Sequence, residues 1–414
     1  MAISKGAAHV RAIVGEDGPN GADGVVLGVD THLDLNVAVA LDRLGRRLGE
    51  LEVPTTTRGH ERLLRWAEGF GPLRCAGIEG TGSYGAGLAR HLRASGISVT
   101  EVERPKRRHL RRRGKSDPID AEAAARAVLA GEAVGEPKSA DGHVEMIRVL
   151  RSARRSAVKA RSQAANQLHA LVVTAPEDLR HRLRRLHTKE LVATCARFRL
   201  GGTDPEDVRT AARFALRSVA RRHEALSEEI AELDVLLERL VAEVAPGLIS
   251  RPAIGTHHAT TLLVLAGDNP ERLDTEASFA RLCGVSPVEA SSGKVVRHRL
   301  NRGGNRDANR ALHMICVVRM GSDERTRRYV SRRTAEGKGK WEIMRCLKRY
   351  IAREVYRVLL SSAAAEPPPI GMTPLAFSLS QASTKLSQSS GGESGSRPAC
   401  SKRSLLYESP NPTG

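Results

Sequence analysis

Apolar residues recur with the period of β-strands in the first quarter of the chain and with the period of helices after it. Three short apolar runs come first, at 25–30, 35–41 and 47–53, and their short connections favour an antiparallel meander. In the second run, the residues of one face are all apolar: Leu35, Val37, Val39 and Leu41. The pattern then predicts a helix, a strand, a helix, a strand and a helix, at 59–68, 73–79, 84–95, 97–103 and 118 to about 130.

The order βββαβαβα predicts that residues 24–140 form an α/β domain. This order is that of an RNase H-like (RuvC-like) domain, in which helices flank a mixed five-stranded sheet. Residues 1–23 are rich in Gly and Ala and polar, so we expect a disordered N-terminus there.

Residues 141–246 have a helical pattern, which begins with a helix at 144–172. Later apolar positions alternate spacings of four and three: Ala212, Leu216, Val219, His223, Leu226, Ile230, Leu233, Leu237, Leu240 and Val244. Such a seam predicts a coiled coil or a long helical hairpin. It suggests pairing between subunits, and an intramolecular hairpin is the open alternative.

The last part of the chain divides at a change in composition. We expect residues 247–361 to form a small, mainly helical domain. From 362 to 414 the chain is rich in Ala, Pro, Ser and Gly, which predicts a disordered tail.

The charge of the chain limits the classes of partner that we expect. Its 414 residues include 66 Lys and Arg against 47 Asp and Glu, which gives a formal net charge of +19. A surplus this large favours a polyanion, and nucleic acid is the commonest one. Free use of Arg by a GC-rich genome is the alternative. Aromatic residues make up only 3% of the chain, which argues against a protein that binds single strands by stacking on their bases.

The six cysteines form no CxxC pair, and no Cys/His cluster has the spacing of a zinc site. We therefore expect reduced, mostly buried thiols in a cytoplasmic protein. No apolar run at the N-terminus has the length of a signal peptide, and none approaches a membrane span. A membrane partner is not expected.

Four acidic residues fall at the ends of predicted elements. Asp30 ends the first strand and Glu79 the fourth, while Asp117 and Asp120 open the last helix of the α/β domain. Carboxylates at adjacent element ends can converge on two divalent cations, and Mg²⁺ prefers hard oxygen ligands. The sequence therefore predicts a Mg²⁺ centre, with two ions per site, that drives in-line attack at a phosphodiester.

A structural interpretation competes for these acids. Asp117 could be the N-cap of the helix, Pro118 fits its first position, and Asp120 resembles part of a capping box. Asp30 could be a turn residue and Glu79 a surface carboxylate. Their combination in the RNase H strand order favours the metal centre, and one side chain can serve both roles.

A cationic run at 104–115 precedes the last helix of this domain, and eight of its twelve residues are Lys or Arg. Its expected place over the acidic cluster would let it clamp backbone phosphates without reading sequence. A solvated loop or a disordered basic linker is the alternative. The candidate nucleic-acid contacts are Lys106, Arg107, Arg108, Arg111, Arg112, Arg113 and Lys115.

These motifs resemble the DEDD-type insertion-sequence transposases, the insertion-sequence family numbered one hundred and ten. The matching segments read GVD at 28–30, EGTGSY at 79–84 and KSDPIDA at 115–121. The resemblance implies that the four acids are the magnesium ligands of a RuvC-like domain. It continues through the helical middle to about residue 360.

The third region carries its own part of the resemblance. The segments PAIG at 252–255, FARLCGVSP at 279–287, SSGK at 291–294 and NRGGN at 301–305 look like the family's transposase domain. In that domain the nucleophile is the serine just before glycine. The resemblance therefore implies Ser292 as the nucleophile, with Ser291 as the adjacent alternative, although Ser-Ser-Gly alone is usually a turn.

Cations surround Ser292 in the sequence and could hold a scissile phosphate: Lys294, Arg297, Arg299 and Arg302. A serine hydroxyl is a weak nucleophile, and no obvious base lies beside this one. That favours a composite site, in which the metals and carboxylates of the first domain activate the serine. The turn at 254–255 could also bind phosphate through helix amides, and an ordinary helix start is its alternative.

The resemblance implies a DNA transposase or recombinase that cleaves and rejoins strands through a covalent phosphoserine link. It also implies a Holliday-junction-like intermediate, a structured guide RNA encoded beside the gene, and dimers that pair into tetramers. Two alternatives stay open. One is a RuvC-like junction resolvase, a metal-dependent nuclease without a covalent step, and the other is a non-catalytic nucleic-acid-binding protein.

Overall fold

The computed structural model describes residues 24–102, 116–133, 135–200, 207–289, 298–299, 301 and 303–364. Several predictions concern residues outside these ranges: the disordered N-terminus, the tail beyond 364, the cationic run and Ser292. The described residues belong to one compact unit that extends to residue 367.

Five strands form one mixed sheet in the order β3-β2-β1-β4-β5. They are β1 (Val25–Thr31), β2 (Leu35–Leu41), β3 (Arg47–Pro54), β4 (Leu73–Glu79) and β5 (Ser98–Val102). The first three are antiparallel, as the short connections predict, whereas β4 is parallel to β1 and β5 is parallel to β4. The predicted RNase H-like sheet is confirmed.

Three helices cover the two faces of the sheet. They are α1 (Thr57–Glu68), α2 (Ala86–Ala94) and α3 (Asp117–Leu129). Alternate residues of β1 point to opposite faces. Leu27 and Val29 therefore pack in the core that contains Leu63 of α1 and Leu88 of α2. The neighbouring residues face α3, as Val26 does in the second core.

The middle of the chain is a helical hairpin. Its elements are α4 (His143–Thr174), α5 (Glu177–Leu183), α6 (Thr188–Ala196) and α7 (Val208–Val244). The long helices α4 and α7 are antiparallel, since their contacts run in opposite directions: His143 with Glu243, Arg154 with Asp234, and Gln167 with Arg222. The heptad seam therefore packs against a helix of its own chain, which was the alternative to pairing between subunits.

The third region is mainly helical, with one short ribbon. Its elements are α8 (Pro246–Ile249), α9 (Thr256–Ala266), a 3-10 turn (Pro270–Leu273), α10 (Glu276–Leu282), β6 (Val288–Glu289), β7 (His298–Arg299), α11 (Arg306–Ser322), α12 (Glu324–Ala335) and α13 (Lys340–Ala364). Its core holds Phe279, Leu312 and Val355 together with Ile147 of α4 and Val241 of α7. The base of the hairpin thus shares this core, and the domain boundaries at 140 and 246 stay predictions.

The described cysteines are free thiols, and four of these five are buried. Burial raises the pKa of Cys75 and of Cys195 to about 11, so these thiols stay protonated at neutral pH. Within the described part of the chain, no helix is both long enough and apolar enough to cross a membrane.

Candidate metal centre

Two of the predicted carboxylates lie side by side because β1 and β4 are parallel neighbours. Val29 of β1 is in register with Ile78 of β4. Asp30 and Glu79, each one residue further on, therefore reach the same edge of the sheet. The Thr31 hydroxyl donates a hydrogen bond of 2.8 Å to the carbonyl oxygen of Glu79 and joins the two strand ends.

Two glycines allow α3 to lie against these strands. A Cβ at Gly28 would stand 2.0 Å from the carbonyl oxygen of Ala121, and one at Gly77 would stand 2.8 Å from that of Ala124. Both obstacles are helix backbone, which cannot rotate away as a side chain can. Glycine at these positions therefore permits the close packing that brings the first turn of α3 to Asp30.

The start of α3 differs by one residue from its prediction. Ser116 is the N-cap, and its carbonyl oxygen accepts hydrogen bonds from the N–H groups of Ile119 and Asp120. The prediction that Asp117 is the N-cap is wrong, because the helix already begins at that residue. Asp117 and Asp120 both lie in the first turn, where the helix dipole favours negative charge.

His32 is a member of this site that the sequence analysis missed. Its Nε2 atom lies 3.3 Å from Oδ2 of Asp30 and 3.4 Å from Oδ2 of Asp117. Among the described residues, these three form a group whose donor atoms all lie within 4.8 Å of one another, as a metal site requires. The spacing Asp-Thr-His was the available signal, because residues i and i+2 of an extended segment share a face.

The electrostatics of the site connect all four predicted acids. Burial raises the pKa of Asp30 above its ordinary value; His32 lowers this pKa, and the negative charges of Glu79, Asp117 and Asp120 raise it. The charges of the other three acids thus act on one buried carboxylate, whereas the group of donor atoms close enough to share one ion contains, among the described residues, Asp30, His32 and Asp117. A divalent cation fits this donor set, because carboxylate oxygens are its preferred ligands and its charge would offset their repulsion.

The predicted residues of the third region are described only in part. Ser292, Lys294, Arg297 and Arg302 lie outside the described residues, as do all seven candidates of the cationic run. Arg299 is exposed on β7 and is in register with Val288 of β6.

Hydrogen bonds join the chain before and after the segment that contains Ser292. The Asn305 N–H donates to the carbonyl oxygen of Leu282 at 2.7 Å. The Asn309 amide donates to the carbonyl oxygen of Gly284 at 2.9 Å and accepts from the Lys348 ammonium at 2.6 Å. These contacts give the polar residues that follow Ser292 a structural role.

The helix start at Gly255 opens onto a cleft lined by both signs of charge. Arg154 and Arg251 lie there with Asp234 and Glu238, and Arg154 already pairs with Asp234. Carboxylates in this position oppose the binding of a phosphate. The cleft therefore favours an ordinary helix start over a phosphate site.

Comparison with known proteins identifies one family in two parts of the chain. A family model described as a transposase of the DEDD type of IS110 matches residues 27–175, which include the four acids and His32. A second model, described as the transposase IS116/IS110/IS902 family, matches residues 246–331, which include Ser292 and Arg299.

A curated relative points to the same family. It is described as an uncharacterized 43.6 kDa protein of insertion element IS110 from Streptomyces coelicolor. The two sequences are 34% identical over 122 residues, which make up 29% of this chain and 29% of the relative. The alignment thus spans less than a third of that relative's length.

Proposed function

Since the chain belongs to the IS110 family of insertion-sequence transposases, we propose that it cleaves and rejoins DNA strands to move an insertion sequence. The observation that supports this proposal is the position of Asp30 and Glu79 on neighbouring parallel strands, with Asp117 and Asp120 in the helix turn that reaches Asp30 through His32. Such a cluster is costly for the fold unless a cation offsets it, and phosphoryl transfer is a chemistry that uses such cations.

The four carboxylates are the proposed ligands of two Mg²⁺ ions, since all of them offer hard oxygen donors. Bound cations supply positive charge that polarises the phosphate and stabilises the leaving oxygen. The chain's contribution is to fix the ligands. Parallel strands place Asp30 beside Glu79, and the absence of side chains at Gly28 and Gly77 lets α3 pack closely against them.

Ser292 is the proposed nucleophile, supported by the family match that includes it. Its Oγ gives up a proton and forms a bond to phosphorus, while the bond from phosphorus to a sugar oxygen breaks. That oxygen takes up a proton and leaves as a hydroxyl group. The reverse reaction with the hydroxyl of another strand rejoins the DNA and regenerates the serine. The cations proposed to hold the phosphate are Lys294, Arg297, Arg299 and Arg302.

The remaining partners are proposed from the resemblance and from charge. A net charge of +19 supports a polyanionic partner, and the cationic run would clamp the DNA backbone. A structured guide RNA would pair with donor and target DNA and so select the sequences. A homo-oligomer, from dimer to tetramer, would supply several active sites, and its proposed location is the cytoplasm.

The covalent intermediate is the most direct test of this function. The full chain is incubated with labelled donor and target DNA, Mg²⁺ and RNA transcribed from the flank of the gene, and denaturing gels then resolve protein joined to DNA. We expect an adduct with the wild-type protein and with Ser291→Ala, its matched control. Ser292→Ala and Asp30→Asn should form none, because one lacks the nucleophile and the other a ligand.

Other results of this assay would favour the alternatives. Hydrolysed DNA without an adduct, still formed by Ser292→Ala, would indicate a junction resolvase. Binding without cleavage would indicate a non-catalytic protein. An adduct that survives Ser292→Ala but not Ser291→Ala would move the nucleophile by one residue.

A further inference from the structure

His32 has no role in a centre made of four carboxylates, yet the fold holds it there. Its backbone N–H donates to the carbonyl oxygen of Leu35 at 3.0 Å, which closes the turn between β1 and β2. The His32 side chain is 47% exposed, whereas that of Asp30 is 8% exposed. The imidazole is therefore open to a dissolved ion and in contact with a carboxylate that is largely covered.

The distances at His32 suit a shared cation. Two donors at neighbouring positions of an octahedral ion with bonds of about 2.1 Å stand roughly 3 Å apart. The Nε2 atom lies 3.3 Å from the Asp30 oxygen and 3.4 Å from the Asp117 oxygen. Movements of a few tenths of an ångström would thus let one ion bind all three.

We propose that His32 is a metal ligand, and that with Asp30 and Asp117 it forms a mixed nitrogen–oxygen position in the centre. This inference rests on the function proposed above and deepens it. Glu79 and Asp120 offer oxygen donors only. Imidazole nitrogen is a ligand of transition metals rather than of Mg²⁺. The His32 position therefore favours a transition-metal ion over Mg²⁺, and we take Mn²⁺ as the probe because it also binds carboxylate oxygens; the remaining acids suit Mg²⁺.

A simpler role for His32 makes the opposite prediction. If the imidazole only formed ion pairs with the two aspartates, it would compete with a cation for them. Removal of His32 would then tighten the binding of every divalent ion. If His32 is a ligand, its removal weakens Mn²⁺ binding by about tenfold and affects Mg²⁺ much less.

Electron spin echo spectroscopy of bound Mn²⁺ tests the proposal without any assay of activity. The full chain is labelled with ¹⁵N-histidine, and the spectrum reports whether a histidine nitrogen is bonded to the ion. We expect this signal in the wild type and in His169→Ala, a control at an exposed histidine of α4 that contacts Thr188. His32→Ala should lose the signal, and its preference for Mn²⁺ over Mg²⁺ in competition titrations should fall about tenfold.

Three results would overturn the proposal: bound Mn²⁺ without a histidine signal in the wild type, a signal that survives His32→Ala, or tighter Mn²⁺ binding by His32→Ala. If one of these three results is found and Asp30→Asn still abolishes Mn²⁺ binding, the carboxylate centre stands while the role of His32 falls. If Asp30→Asn binds Mn²⁺ as the wild type does, the proposed centre falls as well.

Discussion

Asp30 is buried and Asp268 is partly buried, and burial raises the pKa of each, but the groups around the two carboxylates differ. At the sheet edge, His32 lowers the pKa of Asp30, and the like charges of three other acids raise it. At the start of α4, backbone N–H groups donate to Asp268 and lower its pKa, while the charge of one acid, Asp141, raises it. The Asp30 carboxylate thus lies near three other acids, whereas the Asp268 carboxylate accepts hydrogen bonds from backbone amides.

The surroundings of Asp268 give it a structural role. Its side chain accepts hydrogen bonds from the N–H groups of Val144, at 2.6 Å, and Glu145, at 3.2 Å. These are first-turn amides of α4, whose N-cap residue Gly142 has no side chain to bond them. Asp268 therefore caps a helix that begins more than a hundred residues before it.

The comparison shows that a raised pKa alone does not identify a functional site. Both carboxylates lose hydration, and at Asp268 backbone N–H groups of α4 replace part of the lost hydrogen bonding. Around Asp30 the fold instead gathers Glu79, Asp117 and Asp120. His32 opposes part of this effect, and a bound cation would offset the remaining repulsion, which is why we propose a cation there.

Among the substitutions that distinguish the surroundings of Asp30 from those of Asp268, Gly28→Ala should have the largest effect. The new Cβ would stand 2.0 Å from the Ala121 carbonyl oxygen, so α3 must move off the sheet. We expect a loss of about 3 kcal/mol in the free energy of unfolding, measured in urea, together with weaker cation binding. The matched control is Gly82→Ala, where an added Cβ meets nothing within 4 Å. Equal stability of the two variants would contradict the packing argument.

A smaller effect should follow from Asp268→Ala, which removes the cap of α4. We expect the free energy of unfolding to fall by about 1–2 kcal/mol in denaturant titrations, because two helix amides lose their acceptor. Asp268→Asn keeps one acceptor oxygen and should lose less. Asp30→Asn should also lose less, since the relief of repulsion offsets the weakened contact with His32. If Asp30→Asn lost as much stability as Asp268→Ala, the result would contradict the view that Asp268 has a structural role and Asp30 does not.

The smallest effect is a difference in pH dependence. Because the folded pKa of Asp30 is raised, the folded protein holds more protons than the unfolded chain at pH values between 3.8 and that raised pKa. The free energy of unfolding therefore falls as the pH rises through this window. Without divalent ions, Asp30→Asn should flatten that fall, and Asp34→Asn, at an exposed position, should not.

Repeating the pH experiment with added Mg²⁺ distinguishes the contribution of Asp30 from that of Asp268. Cation binding would remove the contribution of Asp30 to the slope, because it favours the charged carboxylate. The contribution of Asp268, whose pKa is also raised, should persist, so Asp268→Asn should still flatten the curve. If Mg²⁺ changed the pH dependence of the free energy of unfolding equally in Asp30→Asn and Asp268→Asn, the result would contradict the assignment of the cation to the sheet edge.

Much of the fold could be predicted because it depends on local patterns. The apolar runs of β1 and β2 and the short turns between the strands predict the sheet and its meander, and the antiparallel pairing is confirmed. The heptad seam of α7 predicts a partner helix but cannot specify its chain, since the same apolar face packs equally well on either. The structure supplies α4 as that partner.

The site could be predicted in part, for similar reasons. Asp30 and Glu79 follow from strand ends, and Asp117 and Asp120 from a helix start. The N-cap was misplaced because Ser116 and Asp117 are both good caps in sequence. His32 had a local signal in its spacing from Asp30. Asp268 had none, because the amides that it caps are distant in sequence and meet it only in the folded chain.

Calorimetric titration of Mg²⁺ into three proteins tests the central claim most directly: the wild type, Asp30→Asn and Asp268→Asn. Each substitution removes one covered carboxylate charge and keeps the shape of the side chain. The account predicts that the wild type and Asp268→Asn bind Mg²⁺ alike and that Asp30→Asn has lost the binding. Equal binding by all three proteins, or a loss confined to Asp268→Asn, would contradict it.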